Sequence, residues 1–159
     1  MTTTASPTRR LTQTEKDLAG QLAAGLGVHT IAAKECLASS TVMSRVRALR
    51  SKLGCPGAPL HVLVHSILSA GHAPKPAAAR PAPYVSSEQA KLWRALADHK
   101  LALDIAHAAG IAPADVKEQT DQLLTAVGTT DLTQLVILGH AWGTLRSDHA
   151  PADAPGADR

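Results

Sequence analysis

An internal repeat is the feature that most constrains the fold of this chain. When the sequence is shifted by 74 residues without a gap, apolar and glycine positions of the first half fall on matching positions of the second half. The matched pairs include Leu22 with Leu96, Ile31 with Ile105, Val42 with Val116, Leu49 with Leu123 and Gly54 with Gly128. Two residues then drop out of the next loop, so that Val64 pairs with Val136 and Gly71 with Gly143. Such self-similarity predicts two copies of one small folding unit.

The repeated unit reads as helical. In the stretch from Ser39 to Gly54, apolar residues recur at the spacing of one helix face, at Val42, Val46, Leu49 and Leu53. Hydroxyl side chains from Ser39 to Thr41 are candidates for the N-terminal cap, and Gly54 is typical of a helix end. Helix 1 is predicted to begin after Thr12, which serves as its N-cap, with Glu15 at the third helical position. Similar apolar patterns predict helix 2 over about 29–36 and helix 4 over about 58–70. The sequence therefore predicts an all-α fold.

A Pro/Ala-rich segment, residues 73–84, separates the two copies. Prolines at 74, 76, 81 and 83 exclude a helix and favour an extended linker, which at about 3.1 Å per residue spans roughly 35 Å. The predicted order is a disordered arm (1–10), a first domain (11–72), the linker (73–84), a second domain (85–145) and a disordered tail (146–159).

Charge is distributed unevenly between the halves. Residues 1–80 carry ten Lys/Arg and three Asp/Glu, a net charge of +7, whereas residues 81–159 carry six and ten, a net charge of −4. The helix from Ser39 to Gly54 contains four cations and no acid. A basic helix face of this kind suits a polyanion, although a solvated basic face has the same composition. Because aromatic residues are scarce and Phe is absent, duplex is a better candidate than single-stranded nucleic acid.

A set of residues at fixed spacing gives the first half a family resemblance. The set comprises Leu11-Thr12, Glu15, Leu18, Leu22-Ala23, Gly25-Leu26, Ile31-Ala32, Thr41-Val42, Val46, Leu49 and Lys52-Leu53-Gly54. Over Leu11 to about Gly71 the chain resembles the LuxR-type (GerE-type) helix-turn-helix of bacterial transcription regulators. The resemblance implies a four-helix domain whose third helix enters the DNA major groove and whose fourth often dimerises. The chain departs from the family at Glu35, usually leucine, at Ala38, usually a capping serine, and at Met43, often lysine.

The resemblance also implies which residues contact DNA. Base-reading positions would be Met43, Ser44 and Arg47, near the start of helix 3. Supporting contacts, largely to phosphates, would come from His29, Thr30, Thr41, Arg45, Arg50 and Lys52. The apolar excess on helix 4 indicates a homodimer interface, which the resemblance also implies. Its predicted members are Leu60, Leu63, Val64, Ile67 and Leu68.

The second copy, residues 85–145, resembles the same domain more loosely and has lost its basic helix. Gln119, Asp121, Leu124 and Ala126 stand where the first copy has Arg45, Arg47, Arg50 and Lys52. Carboxylates repel DNA, so this copy is predicted not to bind DNA on its own. Leu124 in place of Arg50 adds apolar surface and indicates a protein contact.

Two classes of function fit these patterns. The first is a cytoplasmic, nucleoid-associated transcription regulator that binds double-stranded DNA as a homodimer. The second is an adaptor or antagonist that binds RNA polymerase, a sigma factor or another regulator. No catalytic residues, cofactor or membrane span are predicted, because no carboxylate pair, nucleophile–base set, phosphate loop or long apolar run is present. Metal binding is not predicted either, since His61 and His65 lack a third ligand. Cys36 is expected to be buried, and Cys55 to be more exposed.

Overall fold

The structure is a computed structural model that describes residues 11–78 and 80–145. Within these residues it is all-α, with eight α-helices, one 3-10 helix and no strand. The helices of the first half are α1 (Gln13–Ala23), α2 (Val28–Glu35), α3 (Ser39–Lys52) and α4 (Leu60–Ser69). Those of the second half are α5 (Ser87–Asp98), α6 (Ala102–Ala109), α7 (Val116–Val127) and α8 (Leu132–Ala141), with the 3-10 helix Pro113–Asp115 before α7. The predicted arm 1–10 and tail 146–159 lie outside the described residues.

The helices reproduce the repeat that the sequence predicts. Shifting α2 by 74 residues gives the bounds of α6, and shifting α4 by 72 residues gives the bounds of α8. Left-handed glycines recur at matching sites, with φ of 78° at Gly54 and 87° at Gly128. The counterpart of α3 differs, because its first turn is the 3-10 helix and only the remainder, α7, is α-helical. The second half therefore keeps the frame of the first but alters the start of its third helix.

The predicted caps are confirmed at α1 and fail at α3. Thr12 forms a capping box with Glu15, and Ser86 forms the equivalent one with Gln89 in α5. At α3, however, the N-cap is Ala38, which has no side-chain acceptor, and Ser39 is already inside the helix. The Ser39 hydroxyl lies instead 2.9 Å from His29 Nδ1, so it links the starts of α2 and α3.

The expected burial of Cys36 is wrong. Cys36 is exposed and forms the C-cap of α2 with φ of 57°, a left-handed conformation that Gly110 adopts at the matching site. Glycine takes this conformation without steric cost, whereas cysteine does not. The turn geometry, not the apolar context, therefore decides where this side chain lies. Cys55, which was expected to be the more exposed of the two cysteines, is partly buried in its loop, so that expectation is wrong as well.

The two halves pack against each other through their fourth helices. α4 lies along α8 and also contacts α1 and α5. Leu63, Val64, Ile67 and Leu68, which we expected at a homodimer interface, are buried within the single chain, and Leu60 is partly buried against the same core. The buried apolar residues of both halves, except Ala58 and Val62, form one cluster. The apolar excess on α4 is thus accounted for by contacts inside the chain.

The linker does not hold the halves apart. Arg80 Nη2 donates to the carbonyl oxygen of Val127, 2.8 Å away at the end of α7. Its guanidinium lies 5.7 Å from the Trp142 ring centroid, and Trp142 Nε1 donates to the Arg80 carbonyl at 2.8 Å. A cation is stabilised near the carbonyl end of a helix. These contacts fix the linker to the second half.

No helix within residues 11–78 and 80–145 has the length and apolar character needed to cross a membrane.

Candidate nucleic-acid interface

Helix α3 has a buried inner face and an exposed outer face. Val42, Val46 and Leu49 are buried beneath it, as their spacing predicts. We call the exposed side formed by Met43, Ser44, Arg47 and Ser51 the outer face of α3. Met43 is unusual there, since 52% of its surface is exposed although it is apolar. The three residues that the resemblance implies as base-reading positions therefore lie side by side on one accessible surface.

The other cations of α3 lie to the sides of this surface. Arg45 is exposed but lines shallow clefts against α1 beside Thr14 and Leu18. Asp17 and Glu35 line one of the same clefts. Arg50 is partly buried, and its Nε is buried without a hydrogen-bond partner among the described residues. Of the three arginines, Arg47 is thus the one that the outer face presents directly.

Lys52 is engaged inside the fold. Its Nζ lies 2.5 Å from Glu15 Oε1, which also accepts the backbone N–H of Thr12 at 2.8 Å. Burial, the largest influence, raises the pKa of Glu15, but the hydrogen bonds from Lys52 and Thr12 and the charge of Lys52 together hold that pKa below its ordinary value. The pair joins the end of α3 to the cap of α1. The sequence predicted Lys52 as a DNA contact. Because its ammonium group is paired with Glu15, Lys52 would have to leave this carboxylate to bind a phosphate.

The remaining predicted DNA contacts lie around the turn between α2 and α3. His29 and Thr30 are exposed at the start of α2, and Thr41 is partly buried in the first turn of α3. The His29–Ser39 contact brings these two starts together. Sequence reasoning missed both this contact and the Lys52–Glu15 pair. Only the capping-box position of Glu15 was visible in the sequence, and nothing in the pattern links it to a lysine 37 residues later.

The counterpart of this surface in the second half has different chemistry. Lys117 Nζ lies 3.1 Å from Asp121 Oδ2, and both side chains are exposed. Glu118 is exposed beside them, and Leu124 is partly buried against the core. At the start of α6, 56% of Leu101 and 68% of Leu103 are exposed. Asp121 and Leu124 therefore stand where the first half carries Arg47 and Arg50.

Histidines meet between the halves. His65 of α4 places Nδ1 2.9 Å from His140 Nε2 of α8 and Nε2 3.0 Å from Asp98 Oδ1 at the end of α5. Burial, followed by the charges of His65 and Lys75, lowers the pKa of His140 to about 4. The hydrogen bond to His65 is the main reason that the pKa of Asp98 is lowered. Across residues 11–78 and 80–145 no three His, Cys, Asp or Glu side chains are grouped so as to hold a metal.

Comparison with protein-family models, curated proteins and solved structures gives no match for this chain.

Proposed function

We propose that this chain is a transcription regulator that binds duplex DNA through a helix-turn-helix formed by α2 and α3. The supporting observation is the outer face of α3, where Met43, Ser44 and Arg47 are exposed together on a helix with no acidic residue. Affinity for DNA arises largely from cations near phosphates, and sequence is read by side chains at base edges. The resemblance to the LuxR-type domain, carried by the residues at fixed spacing in the first half, supports the same assignment.

Each side chain on this surface has a distinct role in the proposal. Arg47 can donate two parallel hydrogen bonds to the acceptors of a guanine, whereas Met43 offers only apolar contact, for example to a thymine methyl group. Arg45 and Arg50 lie on either side and serve as phosphate contacts, as do His29 and Thr30 at the start of α2. Lys52 is better explained as a structural residue, because Glu15 already binds its ammonium group.

The second half contributes no reading helix in this proposal. Asp121 occupies the place of Arg47, and Glu118 the place of Ser44, so an approaching phosphate would be repelled. Because α4 is covered by α8, the chain carries one reading helix and pairs it with its own degenerate copy. It would therefore contact a single half-site instead of a palindrome. The homodimer expected from the sequence would require a surface other than α4.

The deciding experiment is a binding titration of arginine variants against two duplexes. The preferred sequence is first selected from a random duplex library, and a scrambled duplex serves as reference. Arg47→Ala should cost about 1–3 kcal/mol on the preferred duplex and relax the preference at one position. Arg50→Ala should weaken binding to both duplexes alike and reduce the salt slope by about one unit.

Lys16→Ala is the matched control. Lys16 is an exposed cation on α1, away from the outer face of α3, and its removal lowers the net charge by the same amount. It should change affinity less than either arginine variant. If both arginine variants bind DNA like the wild type, α3 does not lie in the groove.

An adaptor that binds RNA polymerase, a sigma factor or another regulator is the second candidate. The exposed Leu101 and Leu103 favour it, because paired exposed leucines are typical of protein contacts. A salt-dependent mobility shift with duplex DNA separates the two functions, since an adaptor would give none.

A further inference from the structure

Two exposed leucines mark a second surface of the molecule. Leu101 and Leu103 are among the few large apolar side chains that the described residues leave exposed. In the repeat they occupy the places of Gly27 and His29, at the start of α2. α6, the 3-10 helix and α7 contact one another, and in the repeat Glu118 and Asp121 of α7 occupy the places of Ser44 and Arg47 on the outer face of α3. We call Leu101, Leu103, Glu118 and Asp121 the second-half face.

The outer face of α3 is complementary to the second-half face. It exposes one apolar side chain, Met43, beside the guanidinium group of Arg47, and a second exposed guanidinium, that of Arg45, lies to the side of this face. The second-half face exposes apolar side chains beside two carboxylates, of which Asp121 is paired with Lys117 and Glu118 forms no ion pair among the described residues. Opposite charges around an apolar centre are the arrangement that steers and stabilises protein association.

The two faces do not cover each other within one molecule. Met43 and Leu103 are both more than half exposed in the same structure. The main contacts of α3 are with α1 and α2, whereas those of α7 are with α5, α6, α8 and the 3-10 helix. A second copy of the chain presents the complement of each face, and the opposite net charges of the two halves favour its approach.

We propose that the second-half face of one copy binds the outer face of α3 of another copy. Few side chains are involved on each side, so the association is weak and transient, with a dissociation constant on the order of 10–100 μM. Because exposed charges supply much of the attraction, the association weakens with salt. The contact itself does not depend on DNA binding. If α3 does read DNA, as proposed above, a second copy would compete with DNA for Arg47.

Reciprocal charge reversal in the full chain tests the contact. One variant carries Glu118→Arg and Asp121→Arg, and the other carries Arg45→Glu and Arg47→Glu. In each variant alone, the second-half face and the outer face of α3 carry charge of the same sign and repel each other. Each variant should therefore sediment as a monomer at concentrations where the wild type associates. Mixed together, the two variants again offer opposite faces, and association should return to within a few fold of the wild-type strength.

Two further variants separate charge from apolar contact. Glu88→Arg reverses an exposed carboxylate on α5, outside the second-half face, and should leave association nearly unchanged, whereas Glu118→Arg alone should weaken it. Leu103→Ser should weaken association about tenfold without changing the thermal midpoint by more than a few degrees, because the side chain is mostly exposed.

Sedimentation velocity at low and high salt measures all of these proteins, and circular dichroism checks their folding. A wild-type chain that stays monomeric at about 200 μM in low salt overturns the proposal, as does a mixture of the reversal variants that fails to associate while both remain folded. DNA titration of the same samples is independent. Association without DNA binding would refute only the proposed function, and DNA binding without association would refute only this contact.

Discussion

Helix α3 and its counterpart α7 occupy the same place in two copies of one unit, yet they expose opposite charges. Val42 and Leu49 beneath α3 correspond to Val116 and Leu123 beneath α7, and all four are buried. On the outside, Arg47 corresponds to Asp121. A few inner positions therefore suffice to keep a helix in its place, and the outer positions are free to change what it binds.

The fourth helices show that inner positions also change, provided that neighbours compensate. Leu68 of α4 corresponds to His140 of α8, which is buried and contacts His65. Buried Ala19 and Ile67 correspond to Trp93 and Gly139, so a small residue is exchanged for a large one at one site and the reverse at the other. The two copies share a backbone frame but fill it differently. Three substitutions test how strongly stability depends on the buried side chains that differ between the two copies.

The largest effect on stability is expected on lowering the pH, because of His140. Its pKa is lowered to about 4, below the ordinary value of 6.5, because burial disfavours the charged ring. Between pH 6.5 and about pH 4 the unfolded chain binds a proton at this histidine that the folded chain does not bind. The free energy of unfolding therefore keeps its full contribution from His140 above pH 6.5 and loses it progressively as the pH falls toward 4. At about 1.4 kcal/mol per pKa unit, a lowering from 6.5 to about 4 corresponds to a loss on the order of 3–4 kcal/mol. Denaturant unfolding at a series of pH values measures it.

His140→Leu, which installs the residue found at position 68, should remove this part of the pH dependence. His107→Leu, at an exposed histidine of α6, is the matched control and should keep the wild-type slope. The groups facing His140 are His65 of α4, Asp98 of α5 through His65, and Lys75 of the linker. The lowered pKa of Asp98 adds a loss at the acid end, so some slope should remain below pH 4. An unchanged slope in His140→Leu would contradict the assignment.

A smaller effect is expected from Gly139→Ala. A Cβ at this position would lie 2.7 Å from Leu145 Cδ1 and 2.9 Å from Trp93 Nε1, and Trp93 is held by its hydrogen bond to the Leu135 carbonyl. Overpacking of this kind costs about 1–3 kcal/mol. Gly20→Ala in α1 is the matched control, because a Cβ there meets nothing within 4 Å. It should instead stabilise the protein by roughly 0.5–1 kcal/mol. Chemical denaturation of both variants should give opposite signs.

The smallest effect is expected from Thr120→Val, which gives α7 the residue that α3 has at Val46. The Thr120 hydroxyl is buried without a hydrogen-bond partner among the described residues. Its replacement by a methyl group of similar shape should stabilise the protein by about 1 kcal/mol. Thr125→Val is the control, because that hydroxyl is exposed and donates to the Asp121 carbonyl at 3.0 Å. If thermal unfolding shows that Thr120→Val lowers stability, the hydroxyl has a partner in solution.

The sequence predicted those features of the fold that depend on local spacing. The periods of apolar residues located helices 2, 3 and 4 within two residues at each end, and the 74-residue shift, with its two-residue deletion before α8, located the helices of the second half. The sequence could not show that α4 is covered by α8, because an apolar helix has the same sequence pattern whether a second chain or the same chain covers it. Similarly, the basic side chains of α3 were visible, but the sequence did not show that Glu15 binds Lys52 while Arg47 remains exposed.

The packing of α4 on α8 has a consequence for any attempt to divide the protein. A fragment that ends in the linker would lack α5 and α8, which both contact α4, and would expose apolar surface of α4 that is covered in the intact chain. Such an uncovered apolar helix attracts another copy of itself. Self-pairing of a truncated first half would then be an artefact of the cut, and it would place two basic helices in one particle where the native molecule has one. The behaviour of the isolated halves is therefore a poor guide to the stoichiometry of the whole.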